Sequence, residues 1–248
     1  MASTNEVQPH EELRVLHRDA SVIAIDKPAG LLCVPGRGPD TAPAISALVR
    51  SLATDALAVH RLDRDTSGVL LFALGRDAHR ALNLSFENRR AEKRYLALCK
   101  GDLKVRTLCD LPLLAARAGG MRVARADESG ALASTTEFIP VERFGSVTLI
   151  EARPRTGRTH QIRVHLAAIG HPLLVDPRYA LVEPLAARAL DSQALDADEI
   201  VLSRTPLHAA AIRLPHPSGR GFLQVESPTP TDFSRCLDLL RAARRRET

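Results

Sequence analysis

Apolar residues along the chain come in short runs separated by turn chemistry. Val22-Ile23-Ala24-Ile25 is such a run, stopped by Lys27-Pro28-Ala29-Gly30, which predicts a strand running into a turn. Leu31-Leu32-Cys33-Val34 resumes the run before Pro35-Gly36, and residues 42–53 predict a short helix. Residues 69–74 are apolar without alternation and read as a buried strand. Asp77 can cap a helix through about Asn88, with Ala78, Ala81, Leu82 and Ser85 on one face. Residues 94–98 predict another strand, and residues 110–130, with Gly119-Gly120 and Gly130, predict hairpin and loop. Residues 135–141 and 147–152 predict antiparallel strands joined near Phe144-Gly145. Thr159 can cap a helix that ends at Gly170, with Pro172 just beyond. Residues 183–204 are rich in Ala and acid and predict a surface helix or insertion. Residues 207–214 and 221–225 predict late strands, and Thr231 caps a final helix with Phe233, Leu237 and Leu240 on one face and a basic end, Arg241 to Arg246.

The strands do not alternate regularly with helices. The expected fold is therefore α+β, a mixed and mainly antiparallel sheet with helices packed on it. Residues 1–11 are polar and predict a disordered leader. No internal repeat or low-complexity tract interrupts the rest.

Composition adds bounds. With 45% apolar residues and 25% charged, the chain is ordinary for a soluble globular protein. Aromatics are 3% and Trp is absent, so the core must be built from Leu, Val, Ile and Ala. The net charge of +5 weakly favours a polyanionic partner. Lysine occurs only at Lys27, Lys93, Lys100 and Lys104, so the basic residues are mostly Arg, which can grip phosphate with a planar fork and stack on bases. Cys33, Cys99, Cys109 and Cys236 lie far apart, form no zinc spacing and predict buried thiols in a reducing cytosol. No segment approaches a membrane span and no signal sequence is visible, so a cytoplasmic protein without a membrane partner is expected.

Three segments carry candidate chemistry. His60-Arg61-Leu62-Asp63-Arg64-Asp65-Thr66-Ser67-Gly68 is turn-prone and feeds the buried strand, so Asp63 sits on a loop at the edge of a rigid element. Flanking cations suit a carboxylate that acts as nucleophile or base, but a charged surface turn fits the same residues. Arg155, Arg158, His160, Arg163 and His165 crowd the start of a helix, where anions are attracted. That suggests a phosphate-binding surface, with a solvated basic face as the alternative. Arg163 falls at the edge of the helix's core face, where it needs a carboxylate partner, and Asp63 is a candidate. Tyr95 follows Lys93-Arg94 at the start of a strand. It can stack on a base or handle a proton, or simply fill the core. His60 and Asp63 lack the further ligands a metal would need, and no nucleotide-binding glycine loop is present.

The nine residues from His60 to Gly68 resemble the signature of the RluA family of RNA pseudouridine synthases. Asp26-Lys27-Pro28-Ala29-Gly30-Leu31-Leu32 resembles its first motif. Lys93-Arg94-Tyr95 resembles the motif with its active-site Tyr, and Gly157 to His165 the motif with its active-site Arg. Leu207-His208-Ala209 and His216-Pro217 resemble its late strand motif, so the likeness spans about residues 12–230 in order. Leu32 to Arg37 and Asp110 to Leu113 most resemble the enzyme that names the family, which acts on a tRNA anticodon stem-loop uridine and a 23S rRNA uridine.

The resemblance implies an isomerase that detaches uracil from ribose at N1 and reattaches it at C5, with no cofactor and no metal. It implies Asp63 as the essential carboxylate, Tyr95 packed on the target base and Arg163 paired with Asp63. Arg61 would fill the place of the extracted base, and Arg64, Arg155, Arg158 and His160 would contact RNA. The implied partner is structured RNA, tRNA or rRNA. The implied organisation is one catalytic domain over residues 12–230 without an N-terminal S4 domain, then a basic helix over 231–248. The Leu173 to Tyr179 stretch lacks the Gly that the family commonly has before the Asp at position 176, a departure expected to concern a turn and not the chemistry. A monomer is expected, since no apolar surface helix demands a partner. The same chemistry on another tRNA or rRNA site, a non-catalytic RNA-binding protein on this fold, and a metal phosphodiesterase using Asp63, Asp65 and His60 are the alternatives.

Overall fold

The computed structural model describes residues 13–35, 44–117, 119–180 and 183–247; the expected leader, residues 1–11, lies outside them. In chain order the strands are β1 (Val15–Arg18), β2 (Val22–Lys27), β3 (Ala56–Ala58), β4 (Ser67–Leu74), β5 (Glu92–Lys100), β6 (Thr107–Cys109), β7 (Leu113–Ala115), β8 (Met121–Val123), β9 (Thr136–Arg143), β10 (Val147–Pro154), β11 (Leu185–Ala186), β12 (Ile200–Leu202), β13 (Leu207–Pro215) and β14 (Phe222–Glu226). The helices are α1 (Ile45–Leu52), α2 (Arg76–Glu87), α3 (Gln161–Ala168) and α4 (Thr231–Glu247).

Among the described residues, ten strands form one sheet with the path β1-β2-β4-β13-β5-β10-β9-β6, β14 joining β13 and β3 joining β4. All of its pairings are antiparallel except the short contact of β4 with β13. This is the expected mixed, mainly antiparallel α+β architecture.

The sheet centre is covered on both faces, which is why β4 is apolar at every position from Val69 to Ala73. Val69, Leu71 and Ala73 pack with Ala78 and Leu82 of α2, whereas Leu70 and Phe72 pack with Ile45 and Val49 of α1. Farther along, Ile162 and Leu166 of α3 lie on Ala97, Cys99, Ile150 and Ala152. Phe233, Cys236, Leu237 and Leu240 of α4 lie on the other face, over Leu98, Val147 and Leu149. No helix among the described residues is long and apolar enough to cross a membrane.

Three local expectations need correction. Asp77 is not the cap of α2: Gly75, at φ +82, turns the chain off β4 and is itself the N-cap, so Asp77 falls in the first turn, where its charge faces the positive helix end. Thr159 is not the cap of α3 either. His160 holds that position in a left-handed conformation, and the Thr159 hydroxyl accepts a hydrogen bond from Arg61. Residues 183–204 form no α-helix but the β11–β12 pair and a 3-10 turn, Ala187–Ala189. Leu185, Ala187, Leu190, Val201 and Leu202 must all reach α4, and a short β pair presents them to it.

The β4–β13 contact admits only glycine at position 68. Gly68 has φ +110, and a Cβ there would meet the carbonyl carbon and the nitrogen of Ala209 at 2.8 Å, with the oxygen closer still. Gly68→Ala should cost roughly 3–5 kcal/mol, from backbone strain plus collision with a neighbouring strand. Chemical denaturation of the variant beside the parent measures this; equal midpoints would show that the strands part easily here.

Candidate active site

The loop from Val59 to Thr66 leaves β3 and enters β4, and it is gripped from behind. The Leu62 N–H donates to Cys33 Sγ (3.1 Å) and the Cys33 thiol donates to the Leu62 carbonyl (3.3 Å). Lys27 is fully buried and its Nζ donates to the carbonyls of Pro28 (2.7 Å) and Arg64 (2.9 Å). Burial pushes the Lys27 ammonium down to about 8. Arg204, paired with Asp232, donates to the Asp65 carbonyl at 3.2 Å. The backbone on both sides of Asp63 is thus clamped, and the residues resembling the family's first motif supply part of the clamp.

The loop borders a cleft of about 500 Å³. Asp63, Tyr95 and Arg163 all line it, from three separate parts of the chain. Tyr95, on β5, packs between two hydrophobic clusters of the same sheet face. Burial pushes its phenol far above the ordinary range, and the Asp63 charge adds to the effect. The phenol therefore stays protonated.

Arg163 projects from α3, a helix buried almost all round. Its Nη1 donates to Asp63 Oδ2 at 3.2 Å, as expected from sequence. Its stronger partner was not expected. Nε and Nη2 form a forked pair with Asp176, both bonds 2.8 Å. Asp176 is 1% exposed and also accepts the N–H groups of Arg178 (3.0 Å) and Tyr179 (3.2 Å). Burial alone would push the Asp176 carboxyl up; the Arg163 bonds and charge bring it below its ordinary value. The turn after α3 thus reaches Arg163 through Asp176, while the departing residue, Val175, packs in the core with α4. Sequence spacing carries no signal for this, because the turn reaches Arg163 only through the fold.

Arg61, Arg155, Arg158 and His160 also line the cleft. Arg61 donates to Thr159 Oγ1 (2.8 Å) across its mouth. Arg64 does not line it: its Nε donates to the Gly30 carbonyl at 2.9 Å, behind the loop. His160 turns its ring toward Asp63, with Nε2 3.8 Å from Oδ2. His60 is structural, its Nε2 accepting the Leu71 N–H at 3.0 Å and its ring lying 5.1 Å from that of Phe86. Burial pushes the His60 imidazole down to about 3, with Lys93 adding to the shift, so it is neutral. Among the described residues no His, Cys, Asp and Glu group is placed to hold a metal ion.

Two further cations reach the cleft, Arg89 and Lys93, and burial pushes Lys93 down to about 8. Arg89 (φ 56) and His160 (φ 54) are the non-glycine residues with left-handed backbone among the described residues, and both line this cleft. Arg89 is the C′ residue that ends α2, its N–H bonded to the Phe86 carbonyl and the Arg90 N–H to the Ser85 carbonyl, so its left-handed backbone is a helix-capping device; His160 holds its left-handed backbone at the start of α3.

The family profile described as RNA pseudouridylate synthase matches residues 21–168. The chain is 37% identical over 234 residues to ribosomal large subunit pseudouridine synthase C of Salmonella typhi, covering 92% of this chain and 70% of that protein. It is also 37% identical over 234 residues to ribosomal large subunit pseudouridine synthase D of Nitrosomonas europaea, covering 92% and 65%. The solved structure of human RNA pseudouridylate synthase domain containing 4 shares the fold, with a TM-score of 0.74 at 24% identity over 92% of this chain and 93% of that one. These relatives are C and D enzymes, whereas residues 32–37 and 110–113 pointed to the family's namesake. The profile match and the 37% identity over nearly the whole chain place it in the RluA family of RNA pseudouridine synthases, and it is an intramolecular isomerase of uridine in RNA.

Proposed function

We propose that this isomerase acts on a uridine of large-subunit (23S) ribosomal RNA, with Asp63 as the acting carboxylate, Arg163 aiming it and Tyr95 packed on the target base. The observation that carries the residue roles is the meeting of Asp63, Arg163 and Tyr95 in one cleft, with Asp63 and Arg163 bonded at 3.2 Å. The C and D relatives, both ribosomal large subunit pseudouridine synthases by name, support the ribosomal substrate.

The chemistry balances within one nucleotide. The N1–C1′ bond breaks, the uracil turns, the C5–C1′ bond forms, and the C5 proton is lost while N1 gains one. No oxidant, reductant or phosphate is consumed, so the reaction calls for no cofactor. Asp63 stands at the closed end of the charge network, held by a guanidinium that leaves it part-exposed to substrate. The neutral Tyr95 phenol offers a ring face to the base and a hydroxyl proton to its polar edge. A base inside an RNA stack cannot reach this cleft, so the target must be extracted. Arg61, at the mouth, can stack in the vacated place, and Arg155 and Arg158 suit backbone phosphates. A cytoplasmic enzyme follows from a ribosomal substrate.

The resemblance of residues 32–37 and 110–113 to the namesake enzyme favours a second reading, a tRNA anticodon stem-loop. Mapping pseudouridines in rRNA and tRNA from cells with and without the gene separates the two. A site lost only from 23S rRNA supports the first reading; one lost only from tRNA overturns it.

Asp63→Asn should abolish tritium release from [5-³H]uridine-labelled 23S rRNA while filter binding of that RNA stays near the parent's, because Arg163 keeps Asp176 as partner. Binding lost together with activity would make Asp63 structural. Arg163→Ala should cost activity and roughly 3–5 kcal/mol of stability, since it strands the buried Asp176 carboxylate. A variant as stable as the parent in denaturant would refute the buried pair. Arg61→Ala should slow turnover more than it weakens RNA affinity; an affinity loss alone would reassign it to phosphate contact.

A further inference from the structure

His160 lies outside the roles given to Asp63, Tyr95 and Arg163, yet the fold goes to some length to hold it. Its backbone is left-handed (φ 54), where a non-glycine residue costs about 1 kcal/mol. Its ring bridges two partners. Nδ1 lies 2.8 Å from the Tyr179 hydroxyl, and Nε2 lies 3.8 Å from Asp63 Oδ2.

The contacts of Tyr179 point to one tautomer. Its oxygen accepts the Met121 N–H at 3.0 Å, and His160 Nδ1, at 2.8 Å, is the acceptor placed to take its proton. The ring proton of a neutral imidazole then sits on Nε2, the nitrogen that faces Asp63. Each charged group around the ring bears on its protonation: Asp63 from the loop, Arg163 from α3, and Asp176 and Arg178 from the turn after it. Burial is the largest influence and, with Arg163 and Arg178, outweighs the two carboxylates, so the imidazole's pKa is lowered and the neutral form is favoured.

Tyr179 also seats the β7–β8 hairpin. Arg178 Nη1 donates to the Gly119 carbonyl at 2.8 Å. A Cβ on Gly120 (φ +74) would lie 2.8 Å from the Tyr179 hydroxyl and 3.2 Å from His160 Nδ1. The hairpin turn therefore rests directly on the His160–Tyr179 pair.

We propose that His160 is a positioning residue for Asp63, that Tyr179 sets its tautomer so that Nε2–H is offered to the carboxylate, and that seating of the β7–β8 hairpin holds the pair in register. This rests on Asp63 being the acting carboxylate. The Nε2–Oδ2 separation is 3.8 Å, so a hydrogen bond of roughly 2.8 Å requires closure by about 1 Å, which we assign to the RNA-filled cleft.

The test uses the full chain and a [5-³H]uridine-labelled 23S rRNA transcript. Tyr179→Phe should lower kcat about tenfold with KM little changed, the scale expected for a misaimed catalytic group. The acid limb of its kcat profile should move to higher pH, because the neutral imidazole loses a hydrogen bond that favours it. His160→Gln should retain more kcat than His160→Ala, since its amide N–H reaches near the Nε2 position. Adding Tyr179→Phe to His160→Gln should cost nothing more, as the two act in series. Parent-like kcat and pH profile in Tyr179→Phe would overturn the proposal. So would losses that multiply in the double variant, or a loss of kcat matched by the unfolded fraction in a melting curve. An active Asp63→Asn would instead sink the underlying assignment, whereas an inactive Asp63→Asn beside a normal Tyr179→Phe sinks this proposal alone.

Discussion

The cleft depends on one buried guanidinium. Arg163 sits between two carboxylates, bound to Asp176 by two bonds of 2.8 Å and to Asp63 by one of 3.2 Å. A charge this deep is tolerated only with its partners in place. Asp176 satisfies the desolvated cation, so Asp63 is left with a weaker, end-on contact and a part-exposed position. Helix α3, the turn after it and the loop before β4 are thereby locked together by groups distant in sequence. In the proposed reading the arrangement separates two tasks, with one acid holding the arginine and the other meeting substrate.

The sheet makes that separation possible. Its central strands are buried on both faces, and the loop that carries Asp63 leads directly into one of them, β4. Gly68 lets β4 and β13 touch, Lys27 and Arg204 hold the loop carbonyls, and Arg89 and His160 carry left-handed backbone at the cleft wall. The buried charges Lys27 and Arg163 are held there by partners, carbonyls for the one and carboxylates for the other.

Charge follows the same division. The basic end of α4 is tied down: Arg241 and Arg244 bind Glu142, Arg246 pairs with Asp191, and Arg244 also lies over Phe144. Those arginines fasten the helix to the sheet. The cations that border the cleft come from other segments, among them Arg61, Arg89, Lys93, Arg155 and Arg158. Net charge alone therefore does not locate an RNA-binding face.

Sequence by itself determined the strand pattern, the α+β class and the family resemblance, and it singled out Asp63, Tyr95 and Arg163, which the fold brings to one cleft, because hydrophobic periodicity and local motifs are written in neighbouring positions. It also anticipated the Asp63–Arg163 pair, since an arginine on a core-facing helix edge needs an acid. The helix starts were misplaced by one or two residues, because a glycine and a left-handed histidine took the capping positions from Asp77 and Thr159. Of the two readings of residues 183–204, surface helix or insertion, the helix fails, because their Ala and acid content favours helix while their apolar residues pack on α4 from a short β pair. Only the tertiary structure decided that Asp176 is Arg163's main partner, that Arg64 turns behind the loop and that His160 faces Asp63. Each of these is a contact between segments whose meeting is set by sheet topology, and no spacing along the chain encodes such a meeting.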